Sequence, residues 1–376
     1  MDLDFTKEQK LIRDSAREFL QAECPKDLVR ELEESEKGYS PELWQKIAEL
    51  GWIGLNIPEE YDGMGMDFLD LVIVLEEIGY NLLPGPFFST VMGAFPIIYG
   101  GTEEQKSVYL PEISEGKLKL ALAVTEPAAT YDPLGILIEA LPEGDDFVIN
   151  GTKLFVENAN IADFLICAVR TKQEGRPEDG ISLFIIDSKS PGISVSVVPT
   201  IGLDMQCEVN FVNVKVPKTN ILGGPNEGWG ILKRTLEMAA IGKCAEMLGG
   251  MKACMEMTNA YLKRRIAYGR PIALFQVVQH YLADVWVKSE TAGNITYEAA
   301  WMISEGLPAA VKASVAKAWV GKGFAYVSER CVQMHGAIGM TREQDIGLYY
   351  RRAKAWDLAF GDEQHHRELL VRELGF

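Results

Sequence analysis

From Trp229 to Leu262, apolar residues return at threes and fours: Leu232, Leu236, Ala239, Met247, Met251, Cys254, Met255, Thr258 and Leu262. That period predicts a single helix well beyond the roughly 8–20 residues usual in a globular domain. A helix of this length gains its stability from burying an apolar stripe against long neighbours. The chain therefore has to build a bundle or a helix-paired assembly around it.

The rest of the chain divides around the same change of period. Thr6 stands three positions before Gln9, a capping-box spacing, and Leu11, Ile12, Phe19 and Leu20 then share one helical face. Ser40-Pro41 starts a second helix with Leu43, Trp44 and Ile47 on its stripe, and Gly51 ends it. Leu69 to Ile78 reads as a third helix, and Thr102 with Gln105 opens a fourth. Past residue 120 the period changes to two. Ile193-Ser194-Val195-Ser196-Val197 alternates strictly, and Phe164–Val169 and Ile181–Ile186 are short β-rich runs. Glu208–Val216 alternates with a slip at Phe211-Val212 that reads as a bulge, and Asn150-Gly151 reads as a hairpin turn. Beyond the long helix, further helices are expected at 275–304, 309–334 and 343–373. The fold class is α+β and multidomain: an N-terminal α-helical domain (1–120), a middle β domain (121–222) and a C-terminal helical bundle (223–376).

Composition narrows the function. The 376 residues carry 37 basic and 54 acidic side chains, a net charge of −17. Such a balance argues against nucleic acid or an anionic membrane as the main partner. The six cysteines show no Cys-x-x-Cys spacing, and only four histidines are present. No metal site is expected, the cysteines read as buried apolar residues of a reducing compartment, and adjacent His365 and His366 read as surface-helix residues. No apolar run approaches the ~18 residues of a membrane span. The acidic N-terminus lacks signal- and transit-peptide features, so a cytoplasmic location is expected.

Three segments carry chemistry. Val124-Thr125-Glu126-Pro127 opens the β block with a backbone-rich turn, which by itself is commonly no more than a turn. Arg265-Ile266-Ala267-Tyr268-Gly269-Arg270-Pro271 ends the long helix with arginines suited to a phosphate, or to a solvated helix end. Gln333-Met334-His335-Gly336-Ala337-Ile338-Gly339 is a glycine-opened loop that lets backbone approach a ligand.

In order and spacing, these segments resemble the acyl-CoA dehydrogenase family of flavoproteins. Pro58-Glu59-Glu60-Tyr61, Asn150-Gly151-Thr152-Lys153, Phe275-Gln276, His280-x-Leu282-Ala283-Asp284 and Tyr350-Arg351-x-x-Lys354 extend the resemblance over nearly the whole chain. It implies an α-helical domain, a β-barrel-like middle domain and a C-terminal four-helix bundle, assembled as a dimer of dimers. It also implies bound FAD, an acyl-CoA substrate that loses an α proton to a glutamate and a β-hydride to flavin N5, and electron-transfer flavoprotein as acceptor. The implied FAD contacts are Val124, Thr125, Tyr131, Phe155, Glu157, Arg265, Tyr268, Gln276, Gln333, Gly336 and Gly339. Arg265, Gln276, Gln333, Gly336 and Gly339 match the set that completes a neighbouring subunit's cofactor site.

The carry-over also exposes departures. Tyr131 replaces a serine that contacts the pyrophosphate, and Glu157 replaces a hydroxyl donor near N5, where a carboxylate opposes reduced flavin unless it is protonated or turned away. Phe360 stands at the usual position of the catalytic glutamate, and the alternative position on the long helix is Ala239. Glu237, two residues away, is the candidate base, followed by Asp132, Asp357 and Asp362. Leu83-Pro84-Gly85-Pro86-Phe87 lies where the family lines the acyl end. The expected activity is acyl-CoA dehydrogenation with an atypical or absent base. The alternative is a non-catalytic partner subunit of a hetero-oligomeric dehydrogenase, and a third is other chemistry on the same scaffold, such as an oxidase or a decarboxylase.

Overall fold

A computed structural model describes residues 5–173 and 175–375. The chain begins with six helices: α1 (Lys7–Glu23), α2 (Lys26–Glu34), α3 (Pro41–Glu49), α4 (Phe68–Asn81), α5 (Phe87–Gly100) and α6 (Glu103–Ser114). The caps form as their spacing predicts. Thr6 Oγ1 accepts from Gln9 N at 3.2 Å while Gln9 Oε1 accepts from Thr6 N at 3.1 Å, and Thr102 with Gln105 repeats the arrangement. Ser40 caps α3 with Pro41 as its first residue. Helix α4 is buried on nearly every side, so its sequence is apolar all round rather than striped. Helix α5 is apolar in the same way and contains Pro96, which hides it from a periodicity reading.

Eight strands follow: β1 (Leu120–Ala123), β2 (Glu139–Glu143), β3 (Asp146–Glu157), β4 (Phe164–Arg170), β5 (Ile181–Asp187), β6 (Ile193–Val198), β7 (Gln206–Pro217) and β8 (Ile221–Leu222). They form one sheet in the order β6-β7-β3-β2-β4-β5-β8, with β1 parallel to β4. Its two halves join through a single pair, Glu139 with Arg170, and the sheet encloses a core that includes Ile149, Cys167, Phe184 and Val209. The slip in β7 is a bulge: Ile149 pairs with Val214 and Gly151 with Phe211, so Val212 and Asn213 stand opposite Asn150. This corrects the reading of Asn150-Gly151 as a hairpin turn. The turn between β2 and β3 falls at residues 144 and 145, and β3 runs straight through Asn150, whose Oδ1 accepts from Asn213 N at 2.7 Å.

The C-terminal part contains α7 (Gly228–Arg264), β9 (Ile266–Ala267), β10 (Arg270–Pro271), α8 (Gln276–Ser304), α9 (Ala310–His335), α10 (Ile346–Leu358) and α11 (Glu363–Glu373). The long helix is α7, with 37 residues. It packs against α8, α9 and α10 and also against α4. Where α4 and α7 cross, glycine is obligatory, because a Cβ on Gly249 would lie 1.9 Å from Glu76 O and 2.5 Å from Tyr80 N. Alanine is the better helix former by about 1 kcal/mol. Here backbone would have to move, so Gly249→Ala is expected to lower the unfolding free energy by about 1–3 kcal/mol. Urea unfolding followed by circular dichroism checks this, and an unchanged midpoint would mean that the two helices slide apart freely. The expected continuous helix over 343–373 is corrected: it breaks at residues 359–362, where Phe360 has φ 58° and Gly361 φ 97°. Among the described residues, no helix is long and apolar enough to cross a membrane.

Candidate functional site

A cavity of about 570 Å³ lies where α5, the ends of β1 and β3, the 199–206 loop and the α10–α11 turn meet. One wall begins with Val124 and Thr125, at the head of the Thr125-Glu126-Pro127 turn. Leu154 N donates to Thr125 O at 2.9 Å and the Thr125 hydroxyl donates back to Leu154 O, zipping the turn onto β3. Glu126 accepts from Leu137 N at 3.0 Å and Ile138 N at 3.1 Å. Lys153, fully buried, donates to Glu126 Oε1 and to Val124 O, both at 2.9 Å. Two sequence motifs thus become one buried ion pair that holds the backbone of Val124 and Thr125 against the cavity. Phe155 follows with φ 55°, is 42% exposed and lines this space.

The opposite wall is the turn carrying Phe360. Its ring lies between those of Phe88 (5.6 Å) and Tyr131 (5.7 Å). Lys317, buried on α9, donates to Asp357 O and Gly361 O at 2.7 Å each, and burial lowers its ammonium to about 8. His366 Nε2 donates to Phe360 O at 2.9 Å while Nδ1 faces Ser314 Oγ at 3.3 Å. A carbonyl partner makes Nε2 the protonated nitrogen. Burial and the charge of Lys317 push this ring down to about 3. The surface-helix expectation for the histidine pair is therefore corrected: His366 is 4% exposed, and His365 lines the cavity. Among the described residues, no group of His, Cys, Asp or Glu is arranged to hold a metal ion, and all six cysteines are free and buried.

Three carboxylates line the cavity, and each is engaged. Asp362 Oδ1 caps α11 by accepting from His365 N at 2.9 Å. Burial works against the charge of Asp204, yet Arg352 and hydrogen bonds from Thr200 and Gln206 hold it below the usual carboxylate range. Glu157 turns to Lys243, whose Nζ is 3.7 Å from its Oε2, so the carboxylate that seemed to oppose reduced flavin is matched by a cation.

The other candidate bases lie elsewhere. Glu237 sits beside Lys233, Arg234 and Glu373, its carboxyl raised by burial, and does not line the cavity. Asp132 is held by Arg372 at 2.7 Å, and Asp357 Oδ1 is buried without a hydrogen-bond partner. Lys243 escaped the sequence reading. The available signal was a lysine and a glutamate, Lys243 and Glu246, inside an otherwise apolar run of α7.

The expected FAD contacts fall into two separated groups. Val124, Thr125, Tyr131, Phe155 and Glu157 line the cavity. Arg265, Tyr268, Gln276, Gln333, Gly336 and Gly339 do not: they gather around the β9–β10 hairpin and the C-terminal end of α9, where Tyr268 is 96% exposed. The cavity volume falls within the roughly 300–1,000 Å³ of small-molecule sites. Its aromatic walls and backbone-rich edge fit a flat ring system, while Arg265 and Arg270, suited to a diphosphate, do not line it.

Three family descriptions match consecutive stretches: acyl-CoA dehydrogenase N-terminal domain over residues 6–117, middle domain over 121–214 and C-terminal domain over 226–375. The chain belongs to the acyl-CoA dehydrogenase family. Members are FAD-dependent oxidoreductases acting on CH–CH groups. The chain is 33% identical to "Acyl-CoA dehydrogenase, short-chain specific" of Clostridium acetobutylicum, covering 97% of each. It is 31% identical to "Caffeyl-CoA reductase-Etf complex subunit CarC" of Acetobacterium woodii, covering 96% of each. The structure of butyryl-CoA dehydrogenase from Megasphaera elsdenii superimposes with a TM-score of 0.92 at 29% identity over 100% of both chains.

Proposed function

We propose that this chain takes part in the α,β-dehydrogenation of an acyl-CoA thioester, with the acyl group and the flavin ring sharing the 570 Å³ cavity and electron-transfer flavoprotein taking the electrons onward. The observation that carries the reading is the convergence of Val124, Thr125, Phe155 and Glu157 on one wall of that cavity. Bound FAD supplies the acceptor for the β-hydride. The protein's own share is to orient the thioester, to polarise its oxygen and to keep water out with the Phe88–Phe360–Tyr131 ring cluster.

A second reading, the partner subunit, is favoured by the state of the base. Phe360 has no atom that takes a proton, and the carboxylates lining the cavity are spent on Lys243, on Thr200 and Gln206, and on the α11 cap. In this reading Arg265, Gln276, Gln333, Gly336 and Gly339 complete the FAD site of a second, base-bearing chain in a hetero-oligomer. A visible spectrum combined with light scattering separates the two. The partner role predicts a poorly flavinylated, inactive protein when the chain is made alone. It predicts a yellow, active complex on co-expression with a base-bearing paralogue. A yellow homo-oligomer that oxidises an acyl-CoA unaided would remove it.

A further inference from the structure

The α10–α11 turn sets two imidazoles beside Phe360. A Cβ on Gly361, at φ 97°, would lie 2.4 Å from His365 Cδ2 and 3.0 Å from His366 Nε2, so this glycine makes the room for both rings. His366 spends its nitrogens on Phe360 O and Ser314 Oγ and is buried. The His365 ring stands at 87° to it, 5.3 Å away, and lines the cavity. Tyr131 is the ring neighbour of both His365, at 6.4 Å, and Phe360, at 5.7 Å. The imidazole thus lies beside the side chain that occupies the usual base position.

The backbone of His365 is fixed, since its N–H donates to Asp362 Oδ1 at 2.9 Å. The ring is uncommitted. Among the described residues neither ring nitrogen has a hydrogen-bond partner, and neither is sealed off. Polar atoms of a half-buried imidazole are then left to whatever fills the cavity. The other titratable groups lining that space are poor proton acceptors. Glu157, Asp204 and Asp362 are engaged, and Lys354 brings a positive charge. Burial pushes the Tyr131 phenol up to about 12, so it keeps its proton at neutral pH.

Burial lowers the His365 ring below its ordinary value, while Asp132 and Asp362 pull it upward, Arg372 lowers it and Glu368 raises it. Its place in the first turn of α11 also favours the neutral form, and His366 alongside is neutral. At pH 7 the ring therefore carries a free lone pair. Asp132 and Asp362 stand near enough to stabilise the charge that an arriving proton brings.

We infer that His365 is the catalytic base of this chain, taking the α proton of the acyl-CoA in place of the absent glutamate. In that step the Cα–H bond breaks, its electron pair passes onto the thioester as an enolate, and the proton joins the unprotonated ring nitrogen to give an imidazolium. The imidazolium trades its proton with solvent, and the reverse step returns a solvent hydrogen to Cα. The half-reaction therefore needs no oxidant. Asp132, held by Arg372 at 2.7 Å, is the positioning residue that tunes the ring. The inference rests on the dehydrogenation reading above.

The test is exchange at Cα. Butanoyl-, octanoyl- and 3-phenylpropanoyl-CoA, each deuterated at Cα, are incubated with the FAD-supplemented full chain. Loss of deuterium is followed by mass spectrometry and binding by calorimetry. The exchange rate is expected to rise with pH through one midpoint below 6.5, measured between pH 5 and pH 8, where the folded protein keeps His366 neutral. His365→Gln should slow exchange by about 10²–10⁴-fold, the usual contribution of a general base, with a far smaller change in affinity. Asp132→Asn should move the midpoint to lower pH, because it removes a charge that favours the imidazolium. If a bound acyl-CoA does not exchange, if the wild-type profile is flat over this range, or if His365→Gln exchanges within about threefold of wild type, far short of a base's contribution, His365 is not the base and acyl-CoA binding stands. If none of the three binds, the underlying reading fails and takes the base with it. The wild-type profile decides the question even where a variant does not fold.

Discussion

Lys153→Met is expected to lower the unfolding free energy by about 3–5 kcal/mol, the range for breaking a buried ion pair from one side. Lys153 is fully inside the protein, and its ammonium is the only side-chain cation on Glu126 among the described residues. Methionine fills the same volume but leaves a carboxylate at 6% exposure held by two backbone N–H groups, and leaves Val124 O without its donor. Adding Glu126→Gln should recover only part of the loss. The amide relieves the stranded charge but accepts more weakly from Leu137 and Ile138, so the double variant stays below wild type. Urea unfolding of the two single variants and the double variant measures this. A single-variant loss under about 1 kcal/mol would show the pair to be well hydrated and the account wrong. The consequence reaches the cavity, since this pair pins the turn that presents Val124 and Thr125.

Acid is expected to loosen the opposite wall through His366. In the unfolded chain this ring binds a proton near its ordinary value of 6.5, whereas in the folded protein burial and the charge of Lys317 keep it neutral down to about 3. Between those values the unfolded state holds the extra proton, so stability falls as the pH drops through that window. At pH 5 the loss from this group alone is about 2 kcal/mol, rising to about 4–5 kcal/mol at the lower end. Above pH 6.5 the contribution is complete. His366→Gln removes the titration, so its stability should decline less steeply than that of wild type between pH 7 and pH 5, whatever its absolute stability. Denaturant midpoints across that range provide the comparison, and parallel pH profiles would exclude His366 as the sensitive group. Local loosening should appear first at residues 358–362, because His366 and Lys317 hold two of that turn's carbonyls, Phe360 O and Gly361 O, and Lys317 also holds Asp357 O just before it.

Short-range features were legible because they are set by neighbours along the chain. A capping box needs two side chains three apart, and Thr6 with Gln9, like Thr102 with Gln105, formed as read. The bulge announced itself as a phase slip in β7. Where a reading missed, the deciding partner was distant. Asn150-Gly151 has the composition of a hairpin turn, but pairing with β7 on the far side draws it into a strand. The periodic pattern over 343–373 continues through Phe360, yet Lys317 and His366 capture the carbonyls that a continuous helix would use internally.

The same division runs through the candidate site. The sequence by itself determined the order of helical, β and helical parts, the long helix, the residues that carry the family pattern, and the absence of a carboxylate at residues 239 and 360. Only the tertiary structure decided which charges are buried and whom they meet: Lys153 with Glu126, Lys243 between Glu157 and Glu246, and Lys317 on the backbone of the α10–α11 turn. It also separated Val124, Thr125, Tyr131, Phe155 and Glu157, which line the cavity, from the arginines around the β9–β10 hairpin. The physical reason is range. Periodicity and caps act over one turn or one strand pair, whereas the fate of a charge depends on what burial removes and on what distant segments bring back.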